Sequence, residues 1–411
     1  MAQGAGRQDE LAAGAGALLV RIGLLVLMVA LPVASIYSRR FVFTVMPMGA
    51  ALILGGALIM PGHRLLGKTR RALSSPGLAA ALCLLFWIGL SLAWTPFFNI
   101  AAERFAKSLA TLLLAFVVIA YLPSHSRTSN LYLLPIGSGV SALAAVALIF
   151  AAPVALPSAP LEATTLERAA TGLVLMVWPA LAALALRERW AFAGALAVAV
   201  AVAAIAVWTP AALAGIAIGA LVVSLATSNP RTLALALGGF FALAFLAAPS
   251  IPVLFEAFAP IPGVPLDVSK SMKVWADIIE AQPWRLLTAY GFDSMARGLI
   301  SGFLPPETPR SLLFEIWFEH GMLGAIVAAA TIFATFAMAG RAPPQVAPFM
   351  LAGFACVLTI AIWGLATLQL WWLTIVGVMA IGFGCTIKGQ TRDERPAAPV
   401  IPTVKPPPVD P

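Results

Sequence analysis

Long apolar stretches, each about twenty residues and almost free of charged side chains, recur along this 411-residue sequence. A bilayer core about 30 Å thick takes roughly 20 apolar residues per helix. Hydrophobic residues make up 61% of the chain and charged residues 10%, whereas a soluble domain carries about 25% charged residues. The sequence therefore predicts an integral membrane protein.

The composition of these stretches favours helices, because they are rich in Ala and Leu and lack the alternation typical of barrel strands. We predict an all-α, polytopic fold with about twelve transmembrane helices. The predicted spans are 13–36, 41–61, 76–95, 107–122, 131–152, 169–186, 191–208, 211–228, 232–250, 321–340, 346–368 and 369–387. Residues 1–250 thus hold nine spans, 251–320 one long loop with short amphipathic helices, 321–388 three spans, and 389–411 a proline-rich disordered tail.

The distribution of Lys and Arg in short loops predicts the orientation. With the N-terminus in the cytoplasm, basic residues are more frequent in cytoplasmic loops than in outer loops, both termini are cytoplasmic, and the long loop is periplasmic. The net charge of +8 is then explained by membrane orientation. No basic stripe with interleaved aromatic residues indicates a nucleic-acid partner.

Some basic residues lie on the predicted outer side, against this orientation bias. Arg104 and Lys107 follow the third span in "LAWTPFFNIAAERFAKSL", and Arg168 begins the sixth span in "ERAATGLVLMVWPALAAL". An anionic ligand is one reason for such placement. The alternative is local pairing, of Arg104 with Glu103 or lipid headgroups and of Arg168 with Glu167.

The long loop contains two predicted helices. "VSKSMKVWADIIEAQPW" has the apolar spacing of an amphipathic helix, which either serves a site or lies flat on the membrane. After the turn "AYGFDS", the segment "SLLFEIWFEH" is predicted to form a short helix that leads into the tenth span. Glu315 and Glu319 are four residues apart and share one face of it, either at a site or as the solvated end of the helix.

Together these segments resemble the bacterial O-antigen ligase and polymerase family, over most of residues 80–340. "AYGFDS" is similar to the family's Gly-rich turn, with Ala289 where the first Gly usually stands. The arginine-bearing segments after the third span and at the start of the sixth are also similar to family segments. The helix that follows the turn keeps the family frame at Trp317, Glu319, Gly321 and Gly324.

The sequence departs from the family at two places. Arg310 and Ser311 stand where the family has His-Asn, and an arginine stays protonated, so Arg310 cannot act as a general base. His320 is ten residues further on, about 15 Å along a helix. Lys270 and Lys273 stand where the family usually has an arginine, so the bidentate geometry that suits a diphosphate is lost there.

The resemblance implies transfer of a glycan from an undecaprenyl-diphosphate carrier to a lipid or glycan acceptor, on the periplasmic face of a bacterial inner membrane. The leaving diphosphate needs positive charge, and with no Asp-x-Asp motif we predict neither metal nor cofactor. Glu319 and Arg310 are the predicted catalytic residues. The predicted diphosphate-binding residues are Arg104, Lys107, Arg168, Lys273 and Arg310.

Three alternatives remain open at this level. A polymerase of the same family would use the same donor with a different acceptor. A protein that binds the glycan-lipid without catalysis is consistent with the Arg310 replacement. A lipid-linked glycan transporter would be expected to carry polar, broken helices at mid-membrane, whereas the spans of this chain are nearly free of ionisable residues.

Overall fold

The computed structural model describes residues 2–60, 76–123, 128–155, 163–258, 265–364 and 369–388. Every regular element in these ranges is helical, which confirms the predicted all-α class. The predicted disordered tail 389–411 and the basic loop 61–75 lie outside the described residues.

Seventeen α-helices are described, numbered here in chain order. They are α1 (Ala2–Leu25), α2 (Leu31–Tyr37), α3 (Arg39–Ile59), α4 (Pro76–Ser91), α5 (Phe98–Tyr121), α6 (Leu133–Ala155), α7 (Ala163–Ala185), α8 (Trp190–Ala206), α9 (Pro210–Ala226), α10 (Pro230–Ala247), α11 (Ser250–Ala257), α12 (Leu266–Ala281), α13 (Arg285–Thr288), α14 (Ser294–Ile300), α15 (Leu312–Ala339), α16 (Ala347–Trp363) and α17 (Leu370–Lys388). A π-helical turn, Val26–Ala30, joins α1 to α2.

Nine helical stretches within the described ranges are long and apolar enough to cross a membrane. They are Leu11–Tyr37, Arg40–Ile59, Gly77–Trp94, Phe98–Tyr121, Ser129–Ile149, Thr165–Ala185, Pro230–Ala247, Leu312–Ala339 and Leu370–Lys388. Three shorter apolar helices, α8, α9 and α16, lie at the predicted seventh, eighth and eleventh spans. The chain is a polytopic helical membrane protein, and the total of about twelve spans stays a prediction.

Helix α7 forms the centre of the bundle, where it packs against α6, α8, α16 and α17. Small residues permit close approach around it. Gly219 of α9 lies against the ring of Trp178, and a Cβ built on Gly215 of the same helix would lie 2.8 Å from the Cys356 sulfur. This Gly-x-x-x-Gly pair therefore packs within the chain, as small residues in membrane helices commonly do.

Helices α4 and α15 run antiparallel. Gly77 near the start of α4 contacts Met338 near the end of α15, and the indole nitrogen of Trp87 donates to the carbonyl oxygen of His320, 3.0 Å away. The end of the bundle that holds the candidate site is therefore the one where α4 ends, α5 begins and α15 enters.

Helices α11 to α14 and the first turns of α15 occupy the segment predicted as the long loop. The predicted amphipathic helix is α12, which buries Trp275 and Ala276 and exposes Lys270 and Lys273. The Trp275 ring packs edge-on against Phe314 of α15, with ring centroids 5.4 Å apart. Helix α12 is thereby fixed to α15.

Candidate functional site

Helix α15 is broken at Gly321, whose backbone has φ +65 and ψ −161. A Cβ on this residue would lie 2.8 Å from the carbonyl oxygen of Leu287 and 3.0 Å from that of Leu286. Only glycine fits both this conformation and this close approach. The break separates a short helix carrying the buried side chains Glu319 and His320 from the apolar remainder of α15.

Glu319 ties this short helix to the turn before α14. Its side chain is 1% exposed, and its two carboxyl oxygens accept hydrogen bonds from the backbone N–H groups of Asp293 and Met295, each at 3.0 Å. The carbonyl oxygen of Glu319 also accepts from the N–H of Gly291 at 3.2 Å. Both oxygens of this predicted catalytic carboxylate are thus engaged with backbone amides.

The turn itself has an unusual backbone. Ala289, Gly291 and Asp293 all have positive φ, at 61°, 92° and 62°. A Cβ on Gly291 would lie 2.7 Å from the backbone of Thr95, and the Thr95 hydroxyl donates to the carbonyl oxygen of Phe292 at 2.9 Å. The turn therefore packs directly on the segment that joins α4 to α5.

Asp293 holds two arginines, Arg104 and Arg297, and we call these two residues the arginine pair. The Asp293 side chain is 0% exposed; one oxygen pairs with Arg104 of α5 and the other with the Nε of Arg297 of α14, at 3.1 Å. The arginine side chains are 22% and 30% exposed. One buried carboxylate thus holds two partly exposed guanidinium groups from different helices.

In the arginine pair, two guanidinium groups share one buried carboxylate. Guanidinium groups bind phosphate oxygens through paired, charge-assisted hydrogen bonds. Their partial burial keeps screening by water weaker than at an open surface. The arrangement is chemically suited to an anion such as a phosphate or diphosphate.

None of the other predicted basic residues is among the ion-pair partners of Asp293 in the described part of the chain. Lys107 pairs with Glu103, one turn away on the exposed side of α5. Arg168 lines a small cleft with Ser35 and Trp371, and α17 packs against both α5 and α7. Among the described ion pairs, none joins Arg168 to Asp293.

Lys273 and Arg310 are both exposed. The Ser271 hydroxyl donates to the carbonyl oxygen of Glu307 at 2.7 Å, which joins α12 to the segment before Arg310. Ser311 caps α15 by accepting a hydrogen bond from the N–H of Leu313. Arg310 thus lies on an ordered surface, immediately before a helix cap.

His320 lies inside the bundle. It is 1% exposed, its Nδ1 lies 3.4 Å from the Ser91 hydroxyl, and its ring stacks with Phe292 at 6.1 Å. Its Nε2 has no hydrogen-bond partner among the described residues. These contacts pack His320 between α4 and the turn.

A cavity of about 260 Å³ lies beside the arginine pair, and we call it the interfacial cavity. It lies between α12, α14 and the turn from α4 to α5. Its lining is mainly apolar and aromatic, with a few polar side chains. The lining residues that matter here are Phe97, Tyr290, Phe303, Phe318, Gln282 and Ser294.

Tyr290 places one polar group at this cavity. Its hydroxyl donates to the side-chain oxygen of Gln282 at 3.1 Å, and its ring stacks on Phe318 with centroids 4.4 Å apart. Burial raises the pKa of the Tyr290 phenol, an effect that the nearby Arg285 charge partly opposes. The phenol therefore stays protonated at neutral pH and remains a hydrogen-bond donor.

Sequence reasoning missed Arg297 and the structural role of Asp293. The signal was present, because "DSMAR" places an acid and an arginine four residues apart, the spacing of an ion pair on a helix. It was not distinctive, since acidic and basic residues recur throughout the long loop. In the described ranges, no group of three or more His, Cys, Asp or Glu side chains is placed to hold a metal ion.

No protein-family model matches this chain, and no curated protein sequence does either. The class established by the fold is therefore the helical, polytopic membrane protein, and the function is argued from the site.

Replacing Ala289 by glycine is expected to leave stability within about 1 kcal/mol of the wild type. Relief of a strained positive φ is worth roughly 1–3 kcal/mol, against about 0.8 kcal/mol for a lost buried methyl and about 0.5–1 kcal/mol for glycine's chain entropy. Ala276→Gly, at a buried position inside α12, also loses a buried methyl and adds chain entropy to the unfolded state, but it relieves no backbone strain. Thermal unfolding in detergent should therefore rank Ala276→Gly below Ala289→Gly, and equal destabilisation would refute the strain at Ala289.

Proposed function

We propose that this protein transfers a glycan from an undecaprenyl-diphosphate carrier to a lipid or glycan acceptor at the periplasmic face of a bacterial inner membrane, in the manner of an O-antigen ligase. The observation that carries the proposal is the arginine pair. Two guanidinium groups are held by one buried aspartate at one end of the membrane bundle. Lipid-linked diphosphates present their charge at that depth.

The chemistry explains why such a pair suits the donor. Transfer forms a bond from the acceptor hydroxyl oxygen to the anomeric carbon and breaks the bond between that carbon and a phosphate oxygen. The bonding electrons leave with the diphosphate, and the hydroxyl proton passes to water or to the released diphosphate. Preorganised positive groups at the membrane surface stabilise that developing charge more strongly than water does. In this proposal Arg104 and Arg297 bind the diphosphate, while the exposed Lys273 and Arg310 attract the anionic donor to the protein surface.

Glu319 takes a positioning role in the proposal. Its oxygens hold the amides of Asp293 and Met295, and Asp293 in turn holds both arginines. The effect of Glu319 on the reaction then passes through the turn. This differs from the direct catalytic role that the resemblance implies.

The turn supports the family resemblance at one further point. Ala289 stands where the family usually has glycine, and it has a backbone conformation that glycine adopts most easily. The chain thus keeps a glycine-type turn with an alanine in it.

Deletion of the gene, followed by gel analysis of surface polysaccharide, tests the proposal. We expect loss of glycan-modified product, restored by the wild type and restored up to about fivefold less efficiently by Arg310→Ala. We expect only this modest loss for Arg310→Ala because exposed charges contribute roughly 1 kcal/mol or less. Arg341→Ala changes an exposed arginine just beyond the opposite end of α15 and serves as the matched control. An unchanged glycan profile in the deletion strain would contradict the proposed function.

A second candidate is binding of the glycan-lipid without transfer. It is favoured by one observation, the presence of Arg310 and Ser311 where the family has His-Asn. In that case the purified wild type would bind the lipid-linked glycan and transfer none of it to any acceptor. Arg310→His, which restores the family residue, would then show whether a base at this position enables transfer.

A further inference from the structure

We propose that the interfacial cavity binds the hydrocarbon chain of a membrane lipid whose phosphate head lies beside Arg297. This inference goes beyond the proposed function, because it concerns lipid binding and requires no glycan transfer. It rests on the cavity's size, its lining and its position next to the arginine pair.

The volume fits a short length of chain. Apolar cavities of about 150 Å³ are large enough to bind benzene, so the 260 Å³ of the interfacial cavity holds a chain segment of roughly ten carbon atoms. A complete lipid is much larger than this. The cavity therefore takes the part of the chain nearest the head, and the remainder extends into the bilayer.

The lining favours hydrocarbon over a free sugar ring. The polar side chains are few, and the Tyr290 hydroxyl already donates to Gln282, while the Ser294 hydroxyl donates to the carbonyl oxygen of Gly291 at 2.6 Å. A buried hydroxyl without a partner costs about 1–3 kcal/mol, and a sugar ring carries several. A hydrocarbon chain brings no such cost to a cavity walled by aromatic rings.

The position of α14 links the interfacial cavity to the arginine pair. Ser294 and Gly298 of this helix line the cavity, and Arg297 lies between them in sequence, held by Asp293. Phe303, also in the lining, is 86% exposed, and an exposed Phe is the kind of apolar side chain that interfacial segments bury in the membrane. A lipid with its chain in the cavity would thus place its phosphate next to a guanidinium group.

Photolabelling of the detergent-purified full chain tests this proposal. The probe is decyl phosphate carrying a diazirine at the end of its chain. We expect peptides from α12 and α14 to carry the label, as mapped by mass spectrometry. Label confined to peptides that do not line the cavity would overturn the proposal.

Blocking the cavity provides the decisive comparison. Ala281 lines the cavity at the exposed end of α12, so Ala281→Trp narrows the cavity without forcing a large group into a packed core. Val268→Trp adds the same group at an exposed position of the same helix that does not line the cavity, and is the matched control. We expect labelling of α12 and α14 to fall tenfold or more in Ala281→Trp and to persist in Val268→Trp. Equal labelling in both variants would overturn the proposal.

Competition between unlabelled lipids and the probe identifies which kind of lipid supplies the hydrocarbon chain. Displacement of the probe by a prenyl diphosphate but not by phosphatidylglycerol supports a chain site for a carrier lipid, and displacement by both supports one for bilayer lipids. If inorganic diphosphate displaces the probe as efficiently as either lipid does, only the phosphate head of the probe is bound. That result would overturn the proposal. Because labelling needs no glycan, a protein that labels as expected but transfers nothing supports this inference and opposes the proposed function.

Discussion

Replacing Arg297 by alanine is expected to lower glycan transfer at least a hundredfold while the protein still inserts in the membrane. Removal of one group that stabilises developing charge typically costs about 10²–10³ in rate, and Arg297 is one of the two arginines held by Asp293. Arg104→Ala should have a similar effect. The measurement is the rate of transfer from a lipid-linked donor by purified protein, resolved into kcat and KM.

Conservative and control variants separate this loss from misfolding. Arg297→Lys keeps the charge but not the bidentate geometry, so it should retain more activity than alanine. Lys107→Ala lies on the same helix as Arg104 but removes an exposed residue paired with Glu103, and transfer should stay within about threefold of wild type because exposed pairs contribute little. Full transfer by a stable Arg297→Ala protein would refute the assignment of the arginine pair.

Arg168→Ala distinguishes the arginine pair from the set of basic residues predicted from sequence. Arg168 lies in the cleft beside Trp371 and not at Asp293. A loss in Arg168→Ala as large as that in Arg297→Ala would favour the predicted set. We expect the smaller loss for Arg168→Ala.

The helices of this protein were predictable because the bilayer leaves a polypeptide few choices. Backbone groups in hydrocarbon must bond within their own segment, so an apolar run of sufficient length becomes a helix. The same reasoning located the helix at "SLLFEIWFEH". It did not locate the break at Gly321, which depends on the carbonyl oxygens of Leu286 and Leu287 in a distant segment.

The site was only partly predictable, because its chemistry depends on burial. Arg104 was singled out from sequence as a cation at a helix end that needed an explanation. From sequence, Glu319 was a predicted catalytic residue or the solvated end of a helix, and Asp293 was not singled out. Both are buried where α5, α14 and α15 meet the turn. Sequence spacing records neighbours along one helix, whereas this cluster joins residues up to 215 positions apart, from Arg104 to Glu319.

Loss of the Glu319 carboxylate is expected to destabilise the protein strongly. Glu319→Ala leaves the amides of Asp293 and Met295 without their acceptor, at about 1–3 kcal/mol for each buried group, and adds a cavity. Glu319→Gln keeps the shape and one acceptor oxygen, so its cost should be roughly half as large. Glu307→Ala, at an exposed position in the same segment, should change stability by no more than about 0.5 kcal/mol. Thermal unfolding in detergent measures all three, and a Glu319→Ala protein as stable as Glu307→Ala would contradict the structural role.

Asp293→Asn then shows whether this anchoring serves the anion site. If Asp293 merely neutralised the arginines, its loss would leave more positive charge and raise the affinity for inorganic diphosphate. If Asp293 instead holds the arginines in a fixed geometry, its loss lets both side chains move, and ordering them again on binding costs on the order of 1 kcal/mol each. The two guanidinium groups also lose their alignment, which weakens binding further. We expect the second effect to be larger because the Asp293 side chain is fully buried and contacts both arginines, so diphosphate affinity should fall about tenfold, which is about 1.4 kcal/mol. Inhibition of transfer by inorganic diphosphate provides the measurement, and tighter inhibition of Asp293→Asn than of wild type would show that the carboxylate balances charge without positioning the arginines.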